Sequence, residues 1–490
     1  EELFLVQIFY QRRKRKMQKQ KAPKIIPEVE HIKKFKKNLP FSFTGDQKKV
    51  IREILDDMQK DSPMSRLLEG EVGSGKTVVA ALAAFITAKN GFQVAIMAPT
   101  EILAEQHFKE FSRLLSGLGI KIGLITSEKF SLNTQQKINK ERLLKKVSGE
   151  IDPVEEFRKD FFKEKSNLRS NSKFLYGVDI LIGTHSLIQE RVIFRNLGLV
   201  VIDEQHRFGV EQRASLSGGA TQNKNRNRAK NIFPHFLSMT ATPIPRTLAL
   251  AFYGDLSISQ IRQLPKGRKE IITKIIPSAK RQEIYEFLRK EVKKGRQGFI
   301  ICPLIEESKK LSRSSLKTGF GFYLSFGGIA AAEKEFKKLK EKVFPDLKLG
   351  ILHGKMKQKE KEKAMRDFKN GKIEILVSTP VVEVGIDVPK ATVMVIEGSD
   401  RFGLSQLYQF RGRVGRGEFQ SYCFLFTQSP ARRTKQRLNA IVSAKNAFEL
   451  AEKDLKIRGP GEFLGTRQSG IPDLAMASLS DVSLVKEVKR

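Results

Sequence analysis

"LLEGEVGSGKTVVAALAAFITAK" occupies residues 67–89. An apolar pair, Leu67 and Leu68, runs into Gly70, Gly73 and Gly75, then Lys76 and Thr77, then an unbroken series of helix formers. Residues 70–77 fit G-x-x-x-x-G-K-[ST] without a mismatch. The glycines let the backbone close around phosphate oxygens, with Ser74 inside the turn. The helix beginning near Lys76 points its free N–H groups at the anion. Lys76 is spaced to reach β- and γ-phosphates, and Thr77 to put a hydroxyl on Mg²⁺. A glycine-rich turn that held a lysine by chance would not require a helix to follow at once. The spacing therefore predicts a phosphate loop that opens a helix, the nucleotide site of a lobe that binds ATP and Mg²⁺.

Such a lobe needs an acidic group for the metal. "LGLVVIDEQHRFG" (197–209) supplies one, an apolar strand ending in Asp203 and Glu204. The carboxyl ends of parallel strands are where α/β sheets bind ligands. Asp203 is placed to hold the metal, and Glu204 to orient and deprotonate a water. Arg411, Arg413 and Arg416 lie among glycines in "QFRGRVGRG" (409–417). An arginine can stabilise charge that develops during phosphoryl transfer. Closure of one lobe on another would bring it to bear and couple hydrolysis to movement.

Outward from these motifs, short β-branched runs alternate with longer amphipathic stretches. One series is "QVAIMAP", "KIGLIT", "VDILIGT", "LGLVVIDE" and "FLSMTAT"; a second is "GFIICPL", "LKLGILH", "IEILVST", "ATVMVIE" and "YCFLFT". Alternation of this kind predicts parallel sheets wrapped by helices, and two series predict two α/β lobes in tandem. A chain of 490 residues has room for about three domains. No apolar run reaches the roughly 18 residues of a membrane span. Cys302 and Cys423 lie in apolar runs and read as small buried hydrophobes, not as a disulfide or zinc framework. Ninety Lys and Arg against 54 Asp and Glu leave a net charge of +36. That is the footprint of a polyanion partner, most often nucleic acid, unless a lysine-rich composition merely decorates the surface. The first residue is Glu1 and no signal-peptide pattern comes after it, so the sequence reads as a fragment or processed form of a longer cytosolic protein.

In this order the motifs resemble those of superfamily 2 helicases, and more narrowly the core and C-terminal segment of the RecG family, over roughly residues 39–480. The resemblance implies that Gln47, in "LPFSFTGDQ", contacts adenine. It implies that Thr100 and Gln106, in "APTEILAEQH", and Thr184, in "IGTHSLIQ", face DNA. By the same likeness "DEQH" (203–206) is the Walker B box, with His206 on the coupling side. Thr240 and Thr242, in "MTATPIPRT", would link hydrolysis to lobe movement. In "STPVVEVGIDVP", Thr379 would face DNA, and Gly385 and Asp387 would line the nucleotide cleft. Arg413 and Arg416 take the arginine-finger positions. "AEKDLKIRGPGEFLGTRQSG" (451–470) resembles the translocation motif shared with the transcription-repair coupling factor, and Arg458, Arg467 and Gln468 would transmit motion. That relative carries DEEQ and "GEEQSG" where this sequence has DEQH and "GTRQSG".

The resemblance implies two tandem RecA-like lobes and a C-terminal helical hairpin and loop. Expected boundaries are 1–38 for a linker helix and connector to a wedge domain, 39–265 and 266–430 for the lobes, and 431–490 for the hairpin and translocation motif. It implies an ATP-dependent translocase on double-stranded and branched DNA (stalled forks and Holliday junctions) in recombination and repair. A single-strand DNA-binding protein as a further partner, a monomeric state and a bacterial cytosolic location go with it. A polymerase-displacing translocase, an RNA helicase and a binding protein with a relic ATP site are the other readings. The C-terminal motif weighs against the RNA helicase, and the filled catalytic positions against the relic. Residues 149–175, 215–230 and 308–330 read as surface insertions, more plausibly passive than DNA-binding.

Overall fold

The structure, a computed structural model, describes residues 8, 11–12, 15, 18–126, 130–133, 178–184, 187, 192, 194–204, 232–241, 256–264, 269–303, 326–380 and 388–458. These fall into two compact units. The first holds the described residues up to Leu264, the second those from Lys269 to Arg458.

The first unit contains helices α1 (Val29–Lys37) and α2 (Gly45–Met58), strand β1 (Ser65–Gly70) and helix α3 (Lys76–Lys89). Next come strand β2 (Gln93–Met97), helix α4 (Glu101–Leu114) and strands β3 (Ile122–Ile125), β4 (Phe130–Leu132), β5 (Ile180–Gly183), β6 (Leu197–Asp203), β7 (His235–Thr240) and β8 (Ser257–Ile261). The eight strands form one sheet in the order β4-β3-β5-β2-β6-β7-β1-β8. Every pairing is parallel except β3 with β4. Parallel strands carry helices on both faces, so the central ones are apolar on both sides. Strands β2, β5 and β6 are buried almost end to end, which is why they appear in the sequence as unbroken apolar runs. The edge strand β8, "SISQI", is only half-buried and carries no such run.

Residues 21–37 lie on this unit. Phe233 N–H donates to the Lys21 carbonyl (2.8 Å), and Ile25 N–H to that of Met58 (3.0 Å). His235 accepts from Met64 N–H at Nδ1 (3.0 Å), so its other nitrogen, Nε2, is the donor to the Pro23 carbonyl (2.8 Å). Phe35 of α1 is fully buried between Phe43 and Phe85 of α3. The stretch expected to be a connector is thus seated on α3 by aromatic packing.

The second unit begins with β9 (Ile272–Ile276), α5 (Arg281–Lys293), β10 (Gln297–Ile301), α6 (Phe326–Lys338), β11 (Leu349–Leu352), α7 (Gln358–Lys369) and β12 (Ile375–Ser378). It continues with β13 (Ala391–Ile396), α8 (Leu404–Arg411), β14 (Tyr422–Phe426), α9 (Arg432–Ser443) and α10 (Ala447–Arg458). Six strands in the order β11-β12-β10-β13-β14-β9 form a wholly parallel sheet. Two α/β sheets in tandem are the fold class expected from the sequence. Helices α9 and α10 share a core with the sheet: Leu438, Ile441, Ala447 and Leu450 join Leu407, Phe410 and Val414 in one buried cluster. Cys302 and Cys423 are buried free thiols. Helix α6 starts at Phe326, inside the 308–330 stretch that reads as an insertion; the rest of it, and the stretches 149–175 and 215–230, lie outside the described residues. Among the described residues, no helix is long and apolar enough to cross a membrane.

Candidate nucleotide-binding site

The link from β1 to α3 is the loop 70–75. Gly73 (φ 81°) and Gly75 (φ 87°) take left-handed backbone, which side chains with a Cβ rarely adopt. Gly75 is the residue before α3, so the turn that requires it also exposes the helix's first N–H groups. Lys76 Nζ donates to the carbonyls of Gly70 (2.7 Å) and Glu71 (3.0 Å), across the mouth of the loop. Ser74 is fully buried, and its N–H donates to the Glu71 carbonyl (3.1 Å).

Gln47 braces this loop from behind. Its Nε2 donates to the Ser74 carbonyl (2.8 Å), and a Cβ on Gly75 would collide with that nitrogen. The capping box of α2 fixes the amide: Thr44 N–H donates to Gln47 Oε1 (2.9 Å), and Gln47 N–H to Thr44 Oγ1 (3.2 Å). At 2% exposure, Gln47 is held by the protein on both sides of its amide, and the contact seen here is with the loop backbone.

Asp203 ends β6 at the same carboxyl edge of the sheet. Its Oδ2 accepts from His107 Nε2 (2.8 Å), and its Oδ1 from Glu204 N–H (3.0 Å). Burial alone would push this carboxyl up. The His107 hydrogen bond, the charges of His107 and Lys76, and the Glu204 amide outweigh burial and hold it below the usual carboxylate range. Glu204 has φ 54°, the one positive value among the described non-glycine residues. Such backbone costs on the order of 1–3 kcal/mol and tends to persist where function holds it.

The donor set suits Mg²⁺. Asp203 and Thr77, the second residue of α3, offer oxygen only, the chemistry a hard divalent cation takes. The ionised state of Asp203 is the one that binds it.

The remaining expected residues are placed as follows. Thr100 is the N-cap of α4, with Oγ1 accepting from Leu103 N–H (3.4 Å), and Gln106 lies farther along the same helix, half-buried. Thr184 comes directly after β5, and Thr240 ends β7 beside Glu69 of β1. In the second unit, Thr379 comes directly after β12 and is 1% exposed. Arg411 stacks on Tyr408 and donates to the Ile441 carbonyl (3.1 Å), so it ties α8 to α9. Arg413 is buried at 5% exposure, whereas Arg416 is half-buried, with Nε donating to the Gly412 carbonyl (3.3 Å). Gly415 (φ 75°) turns the chain between them. Arg458 ends α10. His206, Thr242, Gly385, Asp387, Arg467 and Gln468 lie outside the described residues. His107 is a site residue that the sequence pattern does not single out. The signal was a histidine in the buried i, i+4 stripe Leu103, His107, Phe111, but its partner is 96 residues away.

A phosphate loop and a strand-end acid on one mostly parallel sheet, with a second, parallel sheet that carries an arginine-glycine loop, define a class: a superfamily 2 helicase core of two RecA-like lobes. The family model described as DEAD/DEAH box helicase matches residues 44–154 and 141–250. That for the helicase conserved C-terminal domain matches 279–418, and that for "ATP-dependent DNA helicase RecG, domain 3, C-terminal" matches 444–490. A protein of Synechocystis sp. named ATP-dependent DNA helicase RecG is 46% identical over 480 residues, covering 98% of this chain and 51% of the relative. Its namesake in Aquifex aeolicus is 44% identical over 484 residues, covering 98% and 54%. A solved structure of RecG bound to a three-way DNA junction matches at a TM-score of 0.72 and 38% identity, covering all of this chain and 56% of that one. Over nearly its whole length the chain matches RecG-type superfamily 2 helicases. It spans about half the length of the curated relatives it matches.

Proposed function

We propose that this chain is the motor of an ATP-dependent DNA helicase that moves along double-stranded DNA and remodels branched DNA, including stalled forks and Holliday junctions, in recombination and repair. The observation that carries the reading is the meeting of the 70–77 loop with the ionised, strand-end Asp203 within reach of the Lys76 charge. The junction-bound relative and the names of the curated relatives support the choice of substrate. The +36 charge supports a polyanion track.

In this reading Lys76 leaves its loop carbonyls for β- and γ-phosphate oxygens, and the loop N–H groups take the remaining phosphate charge. Thr77 and Asp203 would hold Mg²⁺, which would supply positive charge to offset that of the phosphates. Glu204 would accept the proton of the attacking water. Arg416, the less buried of the two finger candidates, would stabilise charge on the transferred group. Gly385, Asp387 and Thr242 are proposed to complete the nucleotide and coupling positions. Arg458, Arg467 and Gln468 are proposed to pass the motion to the duplex. A cytosolic monomer, assisted by a single-strand DNA-binding protein, completes the proposal.

The test measures ATP turnover with no nucleic acid, linear duplex, a three-way junction and single-stranded RNA, at fixed salt. Stimulation by both DNAs and not by RNA is expected, with duplex affinity falling steeply as salt rises. Stimulation by RNA alone would overturn the reading.

A further inference from the structure

Helix α4 presents Leu103, Ala104, His107, Phe111 and Leu114 as its buried face. Four of these are apolar. His107 is 6% exposed and meets Phe111 edge-on, with ring centroids 6.3 Å apart. An imidazole buried in such company costs free energy unless its nitrogens find partners. Its Nε2 finds Asp203 Oδ2 at 2.8 Å. An ionised carboxylate only accepts hydrogen bonds, so Nε2 carries the hydrogen whichever state Nδ1 is in. The opposite oxygen, Oδ1, is taken by the Glu204 N–H. Both oxygens are thus gripped, one from α4 and one from the strained turn after β6, and the rotamer of Asp203 has little freedom left. Each oxygen keeps a lone pair, enough to bind a cation in a direction the two grips set.

We propose that His107 is a positioning residue of the metal site: through one hydrogen bond it aims Asp203 and ties it to α4, the helix that begins at Thr100 and carries Gln106. A displacement of α4 by DNA then reaches the metal-binding carboxylate through a side chain adjacent in sequence to a DNA-facing one. Partners one step removed from a metal hold its ligand in place in this way in many sites. The inference rests on the reading of Asp203 as a metal ligand and of α4 as a DNA-facing helix.

The experiment uses the full chain and a fluorescent, non-hydrolysable ATP analogue, and reads the Mg²⁺ concentration at which the analogue is half bound, with and without duplex DNA. No turnover is involved. His107→Phe fills the space without a donor; His107→Gln returns a donor at similar reach; Asp203→Asn is the reference. The Phe variant is expected to raise the Mg²⁺ midpoint about 10–100-fold, with the Gln variant within about threefold of wild type. Duplex DNA is expected to lower the midpoint in wild type and in the Gln variant, and to leave it in place in the Phe variant. Should His107→Phe not fold, His107→Asn, whose amide stops short of Asp203, takes its place with the same expected rise. A wild-type midpoint in the Phe variant, a Gln variant as impaired as the Phe variant, or an undiminished DNA effect in the Phe variant would each overturn the proposal. If Asp203→Asn leaves the midpoint unchanged, it is the metal-ligand reading that falls.

Discussion

Two carboxylates stand at corresponding places in the two units, each at the carboxyl end of a central parallel strand. Asp203 ends β6; Glu397 comes directly after β13. Both are largely buried, and burial pushes both up. In Asp203 the His107, Lys76 and Glu204 groups win and keep the group ionised. In Glu397 burial wins, although Arg281 Nη1 (2.8 Å) and Tyr285 Oη–H (2.9 Å) both donate to it, and the carboxyl stays above its usual range. Arg281 in turn lies over the Phe426 ring. Topology alone therefore does not make a site. The partners do: beside Asp203 stand a glycine loop and a lysine, beside Glu397 a closed arginine-tyrosine clamp that leaves the oxygens engaged.

If that contrast is right, damage to the first edge stops chemistry and damage to the second changes stability. The largest effect is expected for Lys76→Ala. It removes a charge proposed to meet phosphate in both ground and transition state, so turnover is expected to fall by about 10³-fold or more and nucleotide affinity with it. Duplex affinity, measured by anisotropy across a salt series, stays near wild type.

Arg416→Ala sharpens the comparison, since it alters a residue of the second unit that is proposed to act in chemistry. Turnover is expected to fall by about 10³-fold with nucleotide affinity retained, because a finger acts mainly in the transition state. Collapse of nucleotide affinity in a filter-binding assay would assign Arg416 to ground-state binding.

The legibility of each element in the sequence depended on where its signal lies. The strands β2, β5, β6, β10, β12 and β13 could be read because parallel strands covered on both faces are apolar without a break. Strands β8 and β9 carry no such run: at sheet edges, "SISQI" and "ITKII" keep polar residues in half-exposed places. Strand β1 carries Arg66, which is buried only because Asp57, Glu53 and Ser259 surround it, and no local pattern announces those partners. The loop 70–77 and Asp203 were plain because phosphate chemistry fixes residue type and spacing within a few positions. The contact of Gln47 with the loop and that of His107 with Asp203 are not, since a capping box turned onto a distant loop, and a hydrogen bond spanning 96 residues, exist only once the sheet has brought them together. The packing of α9 and α10 into the core of the second unit was hidden likewise: two amphipathic helices declare an apolar face but not what covers it.

A smaller effect separates the two carboxylates by pH. A carboxyl held above its usual value favours the folded chain while protonated. That advantage is complete below the unfolded value of 4.5 and is lost as pH rises through the folded one. Wild type should therefore lose stability relative to Glu397→Gln as pH is raised from about 4 to about 7. Circular dichroism in a urea series reads this without tryptophan, which the chain lacks. The Gln variant should keep wild-type nucleotide affinity. A stability difference that widened in favour of wild type with rising pH would mean that the Arg281 ion pair outweighs burial.

We propose that this chain turns ATP hydrolysis at the first unit's edge into movement along duplex DNA. Displacement of the third strand from a triplex tests it most directly, because the third strand leaves only when something travels along the duplex beneath it. With ATP and Mg²⁺, wild type should release the strand; Lys76→Ala should not, and wild type with a non-hydrolysable analogue should not. DNA-stimulated hydrolysis by wild type with the third strand left in place would contradict the claim.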